Sequence, residues 1–188
     1  GGNGVAITGN ATAALTNSTF NNKIFGGGYG AGANIAGTVD LSIADSSINS
    51  MIYGGGVGGG NVTGKITLNL TNSISSSTSR VYGGGAGNVG TSGNNSSDPI
   101  IQITVTSGTH GATFYAGAMN DSANLSAKTV YGNIRFDLSG SSTVVNGVIQ
   151  GGGLNNNTTG DNRITGRTTM NLTGMTVNNF VYGGGYAV

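Results

Sequence analysis

The sequence predicts an all-β chain, a parallel β-helix (β-solenoid) of about six turns of 28–35 residues with right-handed crossovers. Three observations lead there. A short phrase recurs six times: KIFGGG (23–28), MIYGGG (51–56), RVYGGG (80–85), TFYAGA (113–118), VIQGGG (148–153) and FVYGGG (180–185). Ahead of each phrase stands a stretch in which apolar and polar residues alternate. The composition also opposes helix, because Gly, Asn, Thr and Ser make up more than half of the 188 residues and every acid is Asp.

The alternating stretches read as the long strands. They are ATAALT (11–16), VDLSIA (39–44), ITLNLT (66–71), IQITVT (101–106), IRFDLS (134–139) and TMNLT (169–173). Side chains two apart in a strand share a face, so Ile66, Leu68 and Leu70 are expected inward, as are Ile101, Ile103 and Val105. The same holds for Ile134, Phe136 and Leu138, with Thr67, Asn69, Gln102, Thr104, Arg135 and Asp137 outward. Ten positions separate Leu15 from Phe25, Ile43 from Tyr53, Val105 from Tyr115 and Leu172 from Tyr182. Copies three and five need twelve, read as a two-residue insertion in one Ser-rich connection.

Next come a tight Asn/Gly/Ser turn, a short strand ending in the aromatic position, and the glycine run. Gly is expected at the corners because it reaches positive φ without strain, with Asn next best and able to form side-chain ladders when stacked. Polyglycine helices packed side by side, as in some phage tip adhesins, are the competing architecture, and the long alternating strands argue against them. The chain reads as one solenoid domain or segment over 1–188, with repeats ending near Gly28, Gly56, Gly85, Gly117, Gly153 and Gly185. Neither end shows an atypical capping unit, so a segment of a longer protein, or ends that join other copies, is expected.

Composition also limits function. The formal net charge is +1 with no basic patch, so no nucleic-acid partner is expected. No apolar run is long enough for a membrane span, Pro is too scarce for collagen, and the absence of Cys leaves disulfides out. Disorder fits poorly, since 36% of residues are hydrophobic and their placement is periodic.

The candidate contact site is the aromatic column Phe25, Tyr53, Tyr82, Tyr115 and Tyr182, with Gln150 in the fifth copy. Its predecessors Ile24, Ile52, Val81, Phe114, Ile149 and Val181 are all apolar. If these face the core, the rings and Gln150 face solvent, where a Tyr stripe would suit sugar rings or a flat partner surface. Alternatively, the strand bends at the glycines and the rings pack over the corner.

No catalytic residue, metal ligand or cofactor is expected. His110 falls where other copies have Phe20, Ile48 and Val177, which marks a core column. Asp40, Asp45, Asp98, Asp121, Asp137 and Asp161 occupy unlike repeat positions, so the paired carboxylates of a glycosidase do not assemble. The glycine runs lack the Asp of calcium-binding nonapeptides. Asn120-Asp121 and Gly160-Asp161-Asn162 could each hold an ion, though turn chemistry explains them equally. Asn-x-Ser/Thr sites, Asn10, Asn17, Asn61, Asn69 and Asn171 among them, arise by chance in such a composition.

The strand pattern, the small polar turn and the Val-Tyr-Gly-Gly-Gly ending resemble the repeats of bacterial surface adhesins, including autotransporter passengers. The resemblance covers about residues 5–188. It implies an extracellular, non-enzymatic structural or adhesive protein at a bacterial cell surface, with a host-surface glycan or protein as partner. Two alternatives stand beside it: a filament subunit stacking on copies of itself end to end, and a tailspike-like polysaccharide-degrading enzyme.

Overall fold

The computed structural model of the chain describes residues 4–94, 96–119, 128–155 and 162–187. Among these residues there is no helix, and every strand pairing is parallel, giving an all-β, solenoid-like architecture.

The alternating stretches form the long strands Ala11–Thr16, Val39–Ala44, Ile66–Thr71, Pro99–His110, Asn133–Val145 and Thr168–Thr173. Each pairs with the next in chain order, so Leu15, Ile43, Leu70, Val105, Leu138 and Leu172 stand in one column. The inward residues of the second to fifth units are essentially inaccessible, each contributing about 1.5–3 kcal/mol of burial. Neighbouring units supply that burial. Leu70 and Val81 are 0% exposed, whereas Leu172 and Val181, with a partner strand on one side, are 36% and 42% exposed.

Where the six in-register residues of each long strand end, the chain turns through positive φ, at Asn17, Asp45, Asn72, Gly140 and Gly174 singly and at Ser107 and Gly108 together. Asn, Asp and Gly tolerate this region best, which accounts for the Asn/Gly character of the turn. A serine follows in the first three units, and the hydroxyls of Ser18, Ser46 and Ser73 donate to the carbonyls of Thr16, Ala44 and Thr71 at 2.8, 2.7 and 3.0 Å.

The two-residue insertions do not share one connection, contrary to expectation. In the third unit the extra residues lie between Ser75 and Arg80, at the second corner, since Leu70 and Ser75 keep register with Val105 and His110. In the fifth they lie between Ser139 and Thr143, at the first corner, where the register shifts against Thr106 and Gly108. Each corner faces solvent, so either can lengthen without disturbing the columns.

The glycine runs also depart from expectation. Of the fifteen glycines in the five GGG runs that directly follow the ring position, only Gly85 has positive φ, while Gly58 and Gly59 of the further run 58–60 have it too. The requirement is close stacking of backbone on backbone: a Cβ on Gly54 would overlap the carbonyl of Gly83, and one on Gly26 that of Gly54. Successive runs are joined by hydrogen bonds such as Gly27 N–H to Gly55 O at 3.0 Å and Gly84 N–H to Gly117 O at 3.0 Å.

A third column closes the core. Ile7, Ile35, Val62, Val89, Val130 and Ile164 bridge one another in sequence, four residues ahead of the paired long-strand segment in every unit except the fourth. Beside it, Asn34 and Asn61 form the expected ladder. The Asn34 Oδ1 accepts from the Asn61 N–H at 2.9 Å, Asn61 Oδ1 from Asn88 N–H at 2.8 Å, and Asn88 Oδ1 from Thr129 N–H at 2.8 Å.

Candidate functional site

The short strands Ile24–Phe25, Ile52–Tyr53, Arg80–Tyr82, Thr113–Tyr115, Ile149–Gln150 and Val181–Tyr182 form a six-stranded parallel sheet in chain order. The aromatic column is therefore real, and its rings form a ladder. Centroids of Phe25 and Tyr53 lie 5.3 Å apart, and those of Tyr53 and Tyr82, and of Tyr82 and Tyr115, 5.1 Å apart.

The ladder does not face solvent along its length, which corrects the outward placement. Tyr53, Tyr82 and Tyr115 are 2%, 0% and 6% exposed, and Gln150 is buried as well. Their apolar predecessors are buried on the opposite face of the same sheet, as expected, so the sheet has two covered faces. The second cover is the chain itself. After each glycine run it folds back, and Val57, Ala86, Met119 and Leu154, each four residues past the ring position, join the buried cluster of tyrosines. Tyr29 takes that place against Phe25, at 5.6 Å. The cue was present in the sequence, because the position holds Tyr29, Val57, Ala86, Met119, Leu154 and Tyr186, none of them polar in the manner of a surface loop. Only the flanks of the ladder are open: Phe25 is half-buried, while Tyr182 is exposed and stacks with exposed Phe180 at 6.0 Å.

Two polar atoms are buried without a hydrogen-bond partner among the described residues, Tyr82 Oη and Gln150 Oε1. Burial raises the pKa of the Tyr82 phenol, and the adjacent Arg80 guanidinium works against that rise without reaching good hydrogen-bond geometry. Gln150 interrupts the ladder between Tyr115 and Tyr182. Replacing it by Tyr would extend the stack and remove an unpaired carbonyl, so Gln150→Tyr is expected to raise unfolding free energy by about 1 kcal/mol in urea melts.

His110 is 0% exposed in the column Phe20, Ile48, Ser75, His110, Val145 and Val177, as the sequence indicated. Its Nδ1 lies 3.3 Å from Ser75 Oγ, its Nε2 3.3 Å from the Ser107 carbonyl, and its ring meets Phe114 edge-on at 5.7 Å. Burial lowers its pKa, and the Ser107 carbonyl only partly opposes this. The unfolded chain therefore binds the extra proton between the depressed folded value and about 6.5. The stability present above about pH 6.5 is lost as pH falls through the folded value. Melting temperature is expected to drop between pH 7.5 and 5, and to drop less in His110→Val, the residue that Val145 and Val177 place in the same column.

The carboxylates stand apart. Asp137 accepts from Arg135 Nε at 2.7 Å and from Asn171 Nδ2 at 2.6 Å, and Asp45 from Asn72 Nδ2 at 2.7 Å. No group of three potential metal ligands occurs among the described residues. Asn120, Asp121, Gly160 and Asp161 lie outside the described residues, while Asn162 uses its side chain structurally, donating to the Leu154 carbonyl at 2.6 Å and accepting from the Lys128 N–H at 3.0 Å.

Two surface depressions lie where the repeat is broken. A depression of about 410 Å³ lies at the first corner beside residues 140–142, and one of about 210 Å³ lies where Ser97 and Pro99 meet Asn133, Arg135 and Arg167. No protein-family model, curated protein or solved structure matches the chain.

Proposed function

We propose that this chain is a right-handed parallel β-helix from an extracellular, non-enzymatic surface protein, which acts by holding a rigid repetitive face toward a glycan or protein on another surface. One observation carries the reading: each unit pairs in parallel and in the same register with its neighbours, so like residues form unbroken columns. Such stacking resists bending and leaves the outer side chains on a fixed lattice. The right hand follows from the general preference of parallel crossovers.

The outer surface suits that role. Its strand faces and connections carry Thr, Asn and Ser tied by side-chain hydrogen bonds between units, such as Thr71 to Thr106 at 3.2 Å on the long strands and Asn49 to Asn21 at 2.9 Å and Asn178 to Asn146 at 2.8 Å in the connections. The non-enzymatic reading is supported by His110, which is sealed in the core, and by Asp137, whose carboxylate is engaged by Arg135 and Asn171. Beads coated with the chain are expected to be retained on glycan-bearing cells, with no release of reducing ends from a polysaccharide panel. Reducing ends released by the chain but not by Asp137→Ala would overturn the non-enzymatic reading, and beads that fail to adhere would overturn the adhesive one.

A further inference from the structure

The larger depression is built by three departures from the repeat. The fifth unit inserts residues at 140–142 and raises a wall that ends in Ser142. The fourth carries two consecutive positive-φ residues, Ser107 and Gly108, at the same corner. The third places Ile74 on the outer column of the short strand, where the paired residue of the second unit is Ser47. Ile74 is 57% exposed and lines the depression, in the column between Ser47 and Thr109.

The polar groups are arranged on one side. Asp45 and Asn72 occupy the positive-φ corner of adjacent units, and the Asn72 amide donates to Asp45 Oδ1 at 2.7 Å. Asp45 Oδ2 and Asn72 Oδ1 have no hydrogen-bond partner among the described residues, and Asn72 keeps a second N–H. A carboxylate and an amide fixed side by side can accept from, and donate to, two neighbouring hydroxyls of one molecule. The exposed Ile74 offers an apolar surface to the C–H face of the same molecule. Asp45 is the only charged residue in the lining, so its negative charge opposes anionic ligands.

We infer that this corner groove binds a neutral hexose unit of a glycan, with Asp45 and Asn72 holding adjacent hydroxyls and Ile74 packing beneath the ring. This inference rests on the adhesive reading and relocates its contact site from the buried tyrosine ladder to the corner. Asp45→Asn keeps the positive-φ tolerance of the position, and Ile74→Ser matches the residue its neighbour Ser47 already supplies, so both are expected to fold with unchanged melting temperature.

The probes are an array of galactose-, glucose- and mannose-terminated oligosaccharides and their sialylated and sulfated counterparts. Neutral glycans are expected to bind the intact chain, to shift the backbone amide resonances of Asn72 and Thr109, and to bind at least tenfold more weakly to either variant. Binding that persists in both variants, or that is confined to anionic glycans, would overturn the groove assignment while leaving an adhesive protein. Retention on whole cells without binding to any neutral glycan would likewise overturn the groove alone. Failure of both cell retention and glycan binding would overturn the adhesive reading as well.

Discussion

Tyr82→Ala is expected to lower the unfolding free energy by about 3–5 kcal/mol, measured by urea denaturation. The ring is wholly buried, with Tyr53 and Tyr115 stacked at 5.1 Å on either side and the backfolded segment bearing Val57, Ala86 and Met119 clustered with it. Removing it leaves a cavity in a stack whose neighbours are fixed by their own strand registers, so little collapse is possible. Tyr82→Phe isolates the ring from its hydroxyl. Because that hydroxyl has no well-formed hydrogen bond among the described residues, the Phe variant is expected to match or exceed the natural chain in stability. An Ala variant within about 1 kcal/mol of the natural chain would mean that the ladder is peripheral decoration. A Phe variant as damaged as Ala would mean that Arg80 engages the hydroxyl strongly.

Gly108→Ala is the second large effect, expected at about 2–5 kcal/mol from left-handed strain together with overpacking. Gly108 has φ +99°, and a Cβ there would overlap the backbone of Ser73 in the preceding unit, with the Ser73 amide nitrogen at 2.9 Å. The damage comes from both the dihedral and the neighbour. Gly140→Ala separates them, since φ is +103° but the nearest contact is the Thr143 hydroxyl at 3.5 Å, and it is expected to cost only the strain, about 1–2 kcal/mol. Equal losses in the two variants, read from the same urea titrations, would show that close approach between units adds nothing.

Much of the scaffold could be read from the residues alone. Alternation in segments such as ITLNLT marks both the strand and its buried face, and the ten-residue step from Val105 to Tyr115 holds the register. His110 declared its environment through Phe20, Ile48 and Val177. The placement of the tyrosines stays open in the sequence because period-two reasoning assigns faces relative to one strand and says nothing about what covers the second face. That cover comes from residues four positions on, across a glycine run whose path no local pattern specifies. The Ile7, Ile35, Val62, Val89, Val130 and Ile164 column is hard to read for a related reason: each unit contributes one residue, too little for periodicity, and the longer segment after Val89 breaks its spacing. The corner groove was least legible. The inserted residues were countable, but the corner they fall at depends on register with the neighbouring units.

The central claim is that distance grows with the number of units and not with sequence separation, and pulsed electron paramagnetic resonance measures this directly. Thr12, Asp40, Thr67, Gln102, Arg135 and Thr169 succeed one another in register on the outer face of the long strands. Spin labels at Thr12 and Thr169 should lie about 24 Å apart, five strand spacings of roughly 4.8 Å, and labels at Asp40 and Thr169 about 19 Å apart. Pairs whose separations do not follow this linear step, or a Thr12–Thr169 distance beyond about 40 Å, would contradict the stacked arrangement on which every other conclusion depends.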